Sequence, residues 1–328
     1  MKITIQQPDR AKKDIRFVGS RKRLATMTGV CFTNESHLAA THLVGERLFS
    51  ISVDAANETY TVKHSIESVY EGKPTITDLI DFNGSNLILT SNFDAGSATL
   101  YYLENEEIRF FKDLSPSQNL GNCHGARFCG NGTVCLSTNK NYLIFIDTDT
   151  ERVISTLKMP YHIKDMVIVN ERQLVAAFAV RSPSQDKKPT YASGILHIEY
   201  DQPRSQYKIL DKWFFRPAAF DAICYDSNEK KFYITDQYGD RVVVFKLTEK
   251  RIRVLGEITG FRFPHGIDVS ENHLAVTNYG DSSIDLMAKE TIQVSSISGI
   301  SQRTRPYTWI EIQKAAASRF RKAFASGI

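Results

Sequence analysis

Two histidines have the chemistry and the position for acid–base work, because each stands directly before a glycine that opens an apolar stretch. They are His124 in HGARFCG and His265 in HGIDVSE. An imidazole changes charge near neutral pH, so two of them beside one ligand can polarise it and move its protons. Lys164 in KDMVIVN holds the corresponding place and could form an imine with a carbonyl compound. Histidines that only fix strand starts, and a solvated salt-bridging lysine, are the competing interpretations.

Three aspartates, Asp78, Asp165 and Asp221, come directly after the residue that corresponds to these histidines in other segments. Calcium takes six to eight oxygen ligands, so carboxylates that converge from several repeats could hold a divalent cation in a central channel. A zinc site through the two histidines would need one of these aspartates or His162 as a further ligand. Alternatively, the aspartates accept backbone N–H bonds at strand starts, in which case no cofactor is required.

The segments that carry these residues form a repeat. Six openings follow one another at intervals of 40 to 56 residues: TGVCFTN, TDLIDFN, HGARFCG, KDMVIVN, FDAICYD and HGIDVSE. A short polar turn and further alternating apolar runs follow each opening, which is typical of four-stranded antiparallel sheets in a repeat protein. We therefore predict an all-β fold over residues 1–300, a six-bladed β-propeller with four-stranded blades.

The N-terminal segments KITIQQ and DIRFVG are candidates to complete the last blade, and closure of the ring would remove exposed sheet edges. An open two-sheet sandwich, the competing fold, would show no fixed period. Because the third and sixth blades of such a ring stand opposite, we expect His124 and His265 to face each other across the channel mouth. Thr28 and Phe220, also at strand starts, are candidate ligand-binding residues there.

Two segments carry a family resemblance. TDQYGDRVVVF, from Thr235 to Phe245, resembles a turn of NHL-type repeats, and FPHGIDVSENHLAVTNYGDSSIDL resembles an NHL half-repeat. This places the chain near the broad superfamily of NHL, gluconolactonase-like and strictosidine-synthase-like propellers. The resemblance implies lyase, lactone-hydrolase or condensation chemistry at the channel mouth. Gluconolactonase-like proteins open their first blade with Glu-Gly-Pro where this chain has MTGV, so their metal ligands do not carry over at that position.

Charge is distributed unevenly over the predicted ring. The face with the channel mouth nets roughly +4, and the opposite face roughly −9. An insertion in the fourth blade adds Arg181, Lys187 and Lys188, which could capture an anion. Residues 301–328 hold six basic residues and one acidic residue, and their apolar spacing predicts a short amphipathic C-terminal helix. This tail either docks on the ring or contacts an anionic membrane or a partner.

Several classes of protein are disfavoured. The chain has no run of 18 apolar residues, no secretory signal and no CxxC pair among its five cysteines, so we expect a cytoplasmic protein with reduced thiols. It also lacks GxSxG, HExxH and Walker motifs, which argues against serine-hydrolase, metalloprotease and nucleotide-hydrolysing activity.

Two functional hypotheses remain. In the first, the propeller binds a small anionic or carbonyl-bearing ligand at its basic mouth, with histidine-based lyase- or hydrolase-type chemistry. In the second, a non-enzymatic scaffold holds an acidic protein or RNA through Arg21, Lys22 and Arg23. RNA readers interleave basic and aromatic residues, and the linker aromatics available for this are Tyr161, Phe215, Phe220, Phe261 and Phe263. The oligomeric state is left open.

Overall fold

The computed structural model describes residues 1–4, 14–18, 21–25, 27–42, 47–68, 74–82, 85–115, 121–180, 192–249, 251–297 and 300–302. The chain starts with three short strands, β1 (Lys2–Thr4), β2 (Asp14–Val18) and β3 (Arg21–Ala25). Strands β2 and β3 pair with each other as a hairpin. Among the described residues, no helix has the length and apolar character needed to cross a membrane.

Six antiparallel sheets follow, which are the blades of a propeller. Blades 1 to 3 each contain four consecutive strands: β4 (Met27–Asn34), β5 (His37–His42), β6 (Arg47–Asp54), β7 (Thr59–Glu67); β8 (Pro74–Phe82), β9 (Ser85–Asn92), β10 (Ser97–Glu104), β11 (Glu107–Leu114); β12 (Cys123–Gly130), β13 (Thr133–Thr138), β14 (Tyr142–Asp147), β15 (Val153–Lys158). Blades 4 to 6 contain β16 (His162–Asn170), β17 (Gln173–Val180), β18 (Ala192–Asp201), β19 (Gln206–Arg216); β20 (Phe220–Asp226), β21 (Lys231–Asp236), β22 (Arg241–Thr248), β23 (Arg251–Thr259); β24 (Pro264–Val269), β25 (His273–Asn278), β26 (Ser283–Ala288). A short 3-10 helix (Lys289–Thr291) and β27 (Ile300–Gln302) come last.

The first strand of every blade lies innermost and contacts the first strands of both neighbouring blades, so the six blades form a closed ring. Apolar side chains from adjacent blades interlock between the sheets. Between blades 3 and 4, for example, Phe145, Met166 and Phe178 are fully buried together. Such burial stabilises each interface through apolar area removed from water. The predicted all-β, six-bladed fold is confirmed.

The N-terminus closes the ring, because β1 pairs with β26 and supplies the outer strand of blade 6. Ile3 of this strand is completely buried against apolar residues of blades 6 and 1. Of the two candidate closing segments, the first therefore completes the ring, through Lys2–Thr4. The other, DIRFVG, supplies β2 of the separate hairpin.

After blade 6, the chain turns back along the outside of the ring. Ser295 pairs with Glu257 on the outer strand of blade 5, and β27 then pairs with β19 as a fifth strand of blade 4. Residues 300–302 therefore still belong to a propeller sheet, although the sequence analysis divides the chain at residue 300. The predicted amphipathic helix lies outside the described residues.

Candidate functional site at the channel mouth

A hydroxyl group holds the inner strand at each of the six blade interfaces, and these bonds position the residues of the mouth. In each case a serine or threonine of one blade bonds a backbone group of the next: Thr41 to Ile76 N (3.1 Å), Ser91 to His124 O (2.8 Å), Ser137 to Lys164 O (3.2 Å), Ser193 to Phe220 N (3.0 Å), Thr235 to His265 O (2.7 Å) and Thr277 to Thr28 O (3.3 Å). The backbones of His124, Lys164 and His265 are therefore all anchored by the preceding blade.

The glycine after each predicted catalytic histidine is required by close packing. A Cβ on Gly266 would lie 2.5 Å from Thr28 O, and a Cβ on Gly125 would lie 2.7 Å from Asp165 Oδ1. Any larger residue would push the neighbouring blade away. The His-Gly pairs of the sequence thus mark the places where blades 3 and 6 approach their neighbours most tightly.

Four side chains meet at the mouth, and we call them the mouth cluster: His124, Lys164, Asp221 and His265. Asp221 stands at its centre, with Oδ2 2.5 Å from His265 Nε2 and Oδ1 3.4 Å from His124 Nε2. The Lys164 amine lies 2.9 Å from His124 Nε2 and 3.8 Å from Asp221 Oδ1. The two histidines, from the opposite blades 3 and 6, therefore meet at the mouth. Both reach toward one carboxylate on blade 5.

A backbone carbonyl orients the His265 ring. Its Nδ1 lies 2.6 Å from the carbonyl oxygen of Thr28, which can only accept, so Nδ1 carries a proton. The Nε2 atom on the other side of the ring faces the Asp221 carboxylate. The ring also packs against Tyr279, with centroids 4.0 Å apart. These contacts hold His265 in one orientation.

His124 is held in the neutral state. Its burial and the neighbouring Lys164 charge place its pKa well below the ordinary value, against the opposing effect of Asp221. The Lys164 ammonium donates to Nε2, so Nε2 is the unprotonated nitrogen. The edge of the Phe93 ring, 5.6 Å from the imidazole between centroids, packs on one side, and His162 lies 5.8 Å away on another.

Asp221 remains ionised at the centre of the cluster. Burial by itself would raise its pKa, but the neighbouring His265 and the Lys164 ammonium lower that pKa well below the ordinary value. Side-chain exposure rises outward from the carboxylate, from 4% at Asp221 through 7% at His265 and 12% at His124 to 23% at Lys164. A ligand arriving from solvent would meet Lys164 and His124 first.

The other two predicted metal-binding aspartates bond to the backbone. Asp78 Oδ2 accepts from Phe128 N at 2.8 Å, and Asp165 Oδ2 accepts from Ile223 N at 3.0 Å, each on the following blade. Within the described ranges, no group of three or more His, Cys, Asp and Glu side chains is placed to hold a metal ion. The geometry of Asp78 and Asp165 thus matches the strand-start interpretation.

Sequence reasoning missed two charged residues of the channel, Arg127 and Asp268. The Arg127 guanidinium donates to Asp165 Oδ2 (2.7 Å) and to carbonyl oxygens on blades 4 and 5 (2.6 and 2.8 Å), so it links three blades. Asp268 Oδ2 accepts from Phe32 N of blade 1 at 2.7 Å. With Asp78 and Asp165 they form what we call the interior cluster. A charged residue within an otherwise apolar inner strand was the signal available in HGARFCG and HGIDVSE.

The pKa values of the interior carboxylates shift the opposite way to that of Asp221. Burial raises the pKa of Asp165 and of Asp268 to about 6, although Arg127 and backbone N–H groups act against this effect. The pKa of Asp78 is also raised by burial. Three carboxylates share one guanidinium here, so ionising all of them is unfavourable.

The remaining predicted binding residues do not line the mouth. Thr28 is 1% exposed, and its hydroxyl donates to Pro74 O and lies 2.8 Å from the Thr41 hydroxyl. Its contribution to the mouth is the carbonyl that orients His265. Phe220 is 1% exposed and packs against Phe215 in the apolar core, which leaves it no surface for a ligand.

The other candidates concern the basic insertion and the RNA hypothesis. Arg181, Lys187 and Lys188 lie outside the described residues. Arg21, Lys22 and Arg23 form β3, of which the backbone alone is described. The linker aromatics offer little stacking surface: Phe215, Phe220, Phe261 and Phe263 are all buried, and Tyr161 stacks on Phe178.

Comparison with known proteins supports the fold. No family model matches the chain, and no curated protein matches it in sequence. Among solved structures, streptogramin B lyase matches with a TM-score of 0.53 at 14% identity, over 84% of this chain and 84% of that one. Virginiamycin B lyase from Staphylococcus aureus matches with a TM-score of 0.53 at 12% identity, over 87% and 97%.

A protein from Lactobacillus plantarum matches similarly, with a TM-score of 0.55 at 12% identity over 85% of this chain and 88% of that chain. At such low identity the likeness concerns architecture alone. The chain is thus a six-bladed β-propeller that shares its fold with two lyases, and the contacts of its own mouth cluster must carry any argument about function.

Proposed function

We propose that this propeller binds a small anionic or carbonyl-bearing molecule at its channel mouth and catalyses an acid–base reaction of the lyase type on it. The observation that carries the proposal is the composition of the mouth cluster. The Lys164 amine and the imidazoles of His124 and His265 surround one carboxylate, Asp221, and the Lys164 amine is the most exposed of these groups. A partly desolvated ammonium of this kind attracts an anion or a polarised carbonyl oxygen.

The roles of the side chains follow from their protonation. The Lys164 ammonium, the most exposed group, contacts the anionic or carbonyl oxygen of the ligand. His124 is neutral with an unprotonated Nε2, so it is the base that removes a proton from carbon next to the carbonyl. Asp221, held by His265, keeps Lys164 and His124 in position from the buried side of the cluster. The shared fold with streptogramin B lyase is consistent with a lyase, as an analogy of architecture only.

Proton abstraction can be tested without knowing the natural substrate. In D2O, we expect the wild-type chain to exchange the carbon-bound protons next to the carbonyl of pyruvate or 2-oxoglutarate, observed by proton NMR. His124→Gln should slow this exchange by about 100-fold, because general-base catalysis contributes about that much or more.

His273→Gln is the matched control. His273 also pairs with a carboxylate, Glu35 at 3.2 Å, but it lies at the start of β25, on the other side of the ring from the mouth. Exchange that is equally fast in His124→Gln and in wild-type would overturn the catalytic role of His124. Tight RNA binding that weakens steeply with salt, combined with no exchange on any carbonyl compound, would favour the scaffold hypothesis instead.

A further inference from the structure

We infer that Lys164 is a carbonyl-reactive amine, which forms an imine with a carbonyl ligand at the mouth. This inference rests on the same site as the proposed function and names the class of substrate more narrowly, as an aldehyde or ketone. The observation is the 2.9 Å contact between the Lys164 amine and His124 Nε2.

The contacts of Asp221 support this assignment. Its oxygen lies 2.5 Å from His265 but 3.8 Å from Lys164, so His265 is its principal partner. The Lys164 side chain is 23% exposed, and its amine lies against an imidazole nitrogen of His124. Partial burial favours the neutral, nucleophilic amine of a lysine. Ser137 holds the Lys164 carbonyl oxygen at 3.2 Å, which fixes the backbone that presents the amine.

The reaction step balances with solvent water as the proton carrier. The Lys164 ammonium releases one proton to solvent, and the amine nitrogen then bonds to the carbonyl carbon of the ligand as the C=O π bond opens. One N–H proton passes from the nitrogen through His124 Nε2 to the oxygen, which gives a carbinolamine. Its hydroxyl leaves as water with one proton from solvent, while the nitrogen lone pair forms the C=N bond of a protonated imine. No oxidant or reductant takes part.

Reductive trapping tests the inference. The full chain is incubated with glyoxylate, or separately with formaldehyde, in the presence of sodium cyanoborohydride, which reduces an imine to a stable secondary amine. Peptide mapping by mass spectrometry gives the initial labelling rate of each lysine. We expect Lys164 to be labelled about 100-fold faster than Lys158, an exposed lysine on the outer strand of blade 3. His124→Gln should remove most of this difference.

The two aldehydes separate the inference from the proposed function. Rapid labelling of Lys164 by both aldehydes, with no preference for anionic glyoxylate, would support the reactive amine and count against anion binding. Labelling of Lys164 no faster than Lys158 with either aldehyde would overturn the inference. Lys164→Arg keeps the positive charge but cannot form an imine, so it should still bind small carboxylates while losing the trapped adduct. If Lys164→Arg supports carbon-proton exchange at the wild-type rate, imine formation is not part of the reaction.

Discussion

The mouth cluster and the interior cluster are built from the same inner strands but have opposite compositions. At the mouth, three basic side chains, Lys164, His124 and His265, surround the single carboxylate of Asp221, and side-chain exposure increases toward solvent. In the interior, Asp78, Asp165 and Asp268 outnumber Arg127, and each carboxylate accepts a backbone N–H of the next blade.

This difference separates the proposed binding site from a structural element. Carboxylates that accept backbone N–H groups tie neighbouring blades together and have little capacity left for a ligand. At the mouth, the Lys164 amine is the most exposed group of its cluster. The inner strands thus hold the blades together inside the channel, and the proposed site stands at the end of the channel.

Replacement of the central carboxylate should give the largest effect on stability. Asp221→Asn leaves His265 and Lys164 without their buried counter-charge, which costs about 3 to 5 kcal/mol at pH 7. Because the folded-state pKa of Asp221 is lowered, its contribution is present above its ordinary pKa and is lost as the pH falls below about 4. Urea unfolding of wild-type and variant at pH 7 and pH 3.5 measures the difference in their unfolding free energies, which should be smaller at pH 3.5. An equal difference at both pH values would contradict the ion pairing described here.

The interior carboxylate Asp268 should behave in the opposite way. Its folded-state pKa is raised to about 6, so wild-type stability falls as the pH rises from about 4 through 6. Asp268→Asn keeps an oxygen that accepts from Phe32 N, but it has no carboxyl group to ionise. The unfolding free energy of the variant should therefore rise relative to wild-type by up to about 3 kcal/mol between pH 4 and 7.5. Urea titrations across this range measure the difference.

The control for Asp268→Asn is Asp240→Asn, because Asp240 also accepts a backbone N–H, from Phe263 at 3.0 Å, but lies in a turn outside the interior cluster. If the difference in unfolding free energy between Asp268→Asn and wild-type does not change with pH, the two clusters do not differ as described. If wild-type instead becomes more stable relative to Asp268→Asn as the pH rises, Asp268 behaves like Asp221, and the contrast is wrong.

The smallest effect should come from the hydroxyl that supports Lys164. Ser137→Ala leaves Gly125 N, now bonded to Ser137 Oγ at 2.9 Å, without this partner, at a cost of about 1 to 2 kcal/mol. It should also reduce aldehyde labelling of Lys164, because the strand start loses its anchor. Ser155→Ala is the control, since its hydroxyl contacts Ser205 near the surface. Unchanged labelling in Ser137→Ala would show that the anchor does not position the amine.

The repeat of apolar strands could be read from the sequence because burial on alternating faces leaves a period in the residue types. The same periodicity located His124, Lys164, Asp221 and His265 at strand starts. The periodicity does not predict that Asp221 contacts two histidines, whereas Asp165 accepts a backbone N–H. An irregular register interrupts the inner strand at these starts, for example between Phe220 and Ile223, and such bulges redirect side chains in ways that residue spacing does not reveal.

The contacts of Lys164 and Arg127 were beyond prediction for a different reason. Each side chain meets partners on other blades, about 40 to 100 residues away in sequence. Their geometry depends on the ring as a whole. The sequence analysis favoured neither an amine-to-imidazole contact for Lys164 nor a bridging role for Arg127, because no local pattern encodes a distance between blades.

The central claim, a basic mouth that recognises small anions, is tested most directly by calorimetric titration of the wild-type chain with acetate, pyruvate, oxalate, citrate and inorganic phosphate. We predict saturable binding of at least one of these anions. Lys164→Ala should weaken that binding by about tenfold or more, as loss of a charge-assisted contact would, while Lys158→Ala leaves it unchanged. Absence of binding for all five anions, or binding that Lys164→Ala does not alter, would contradict the account.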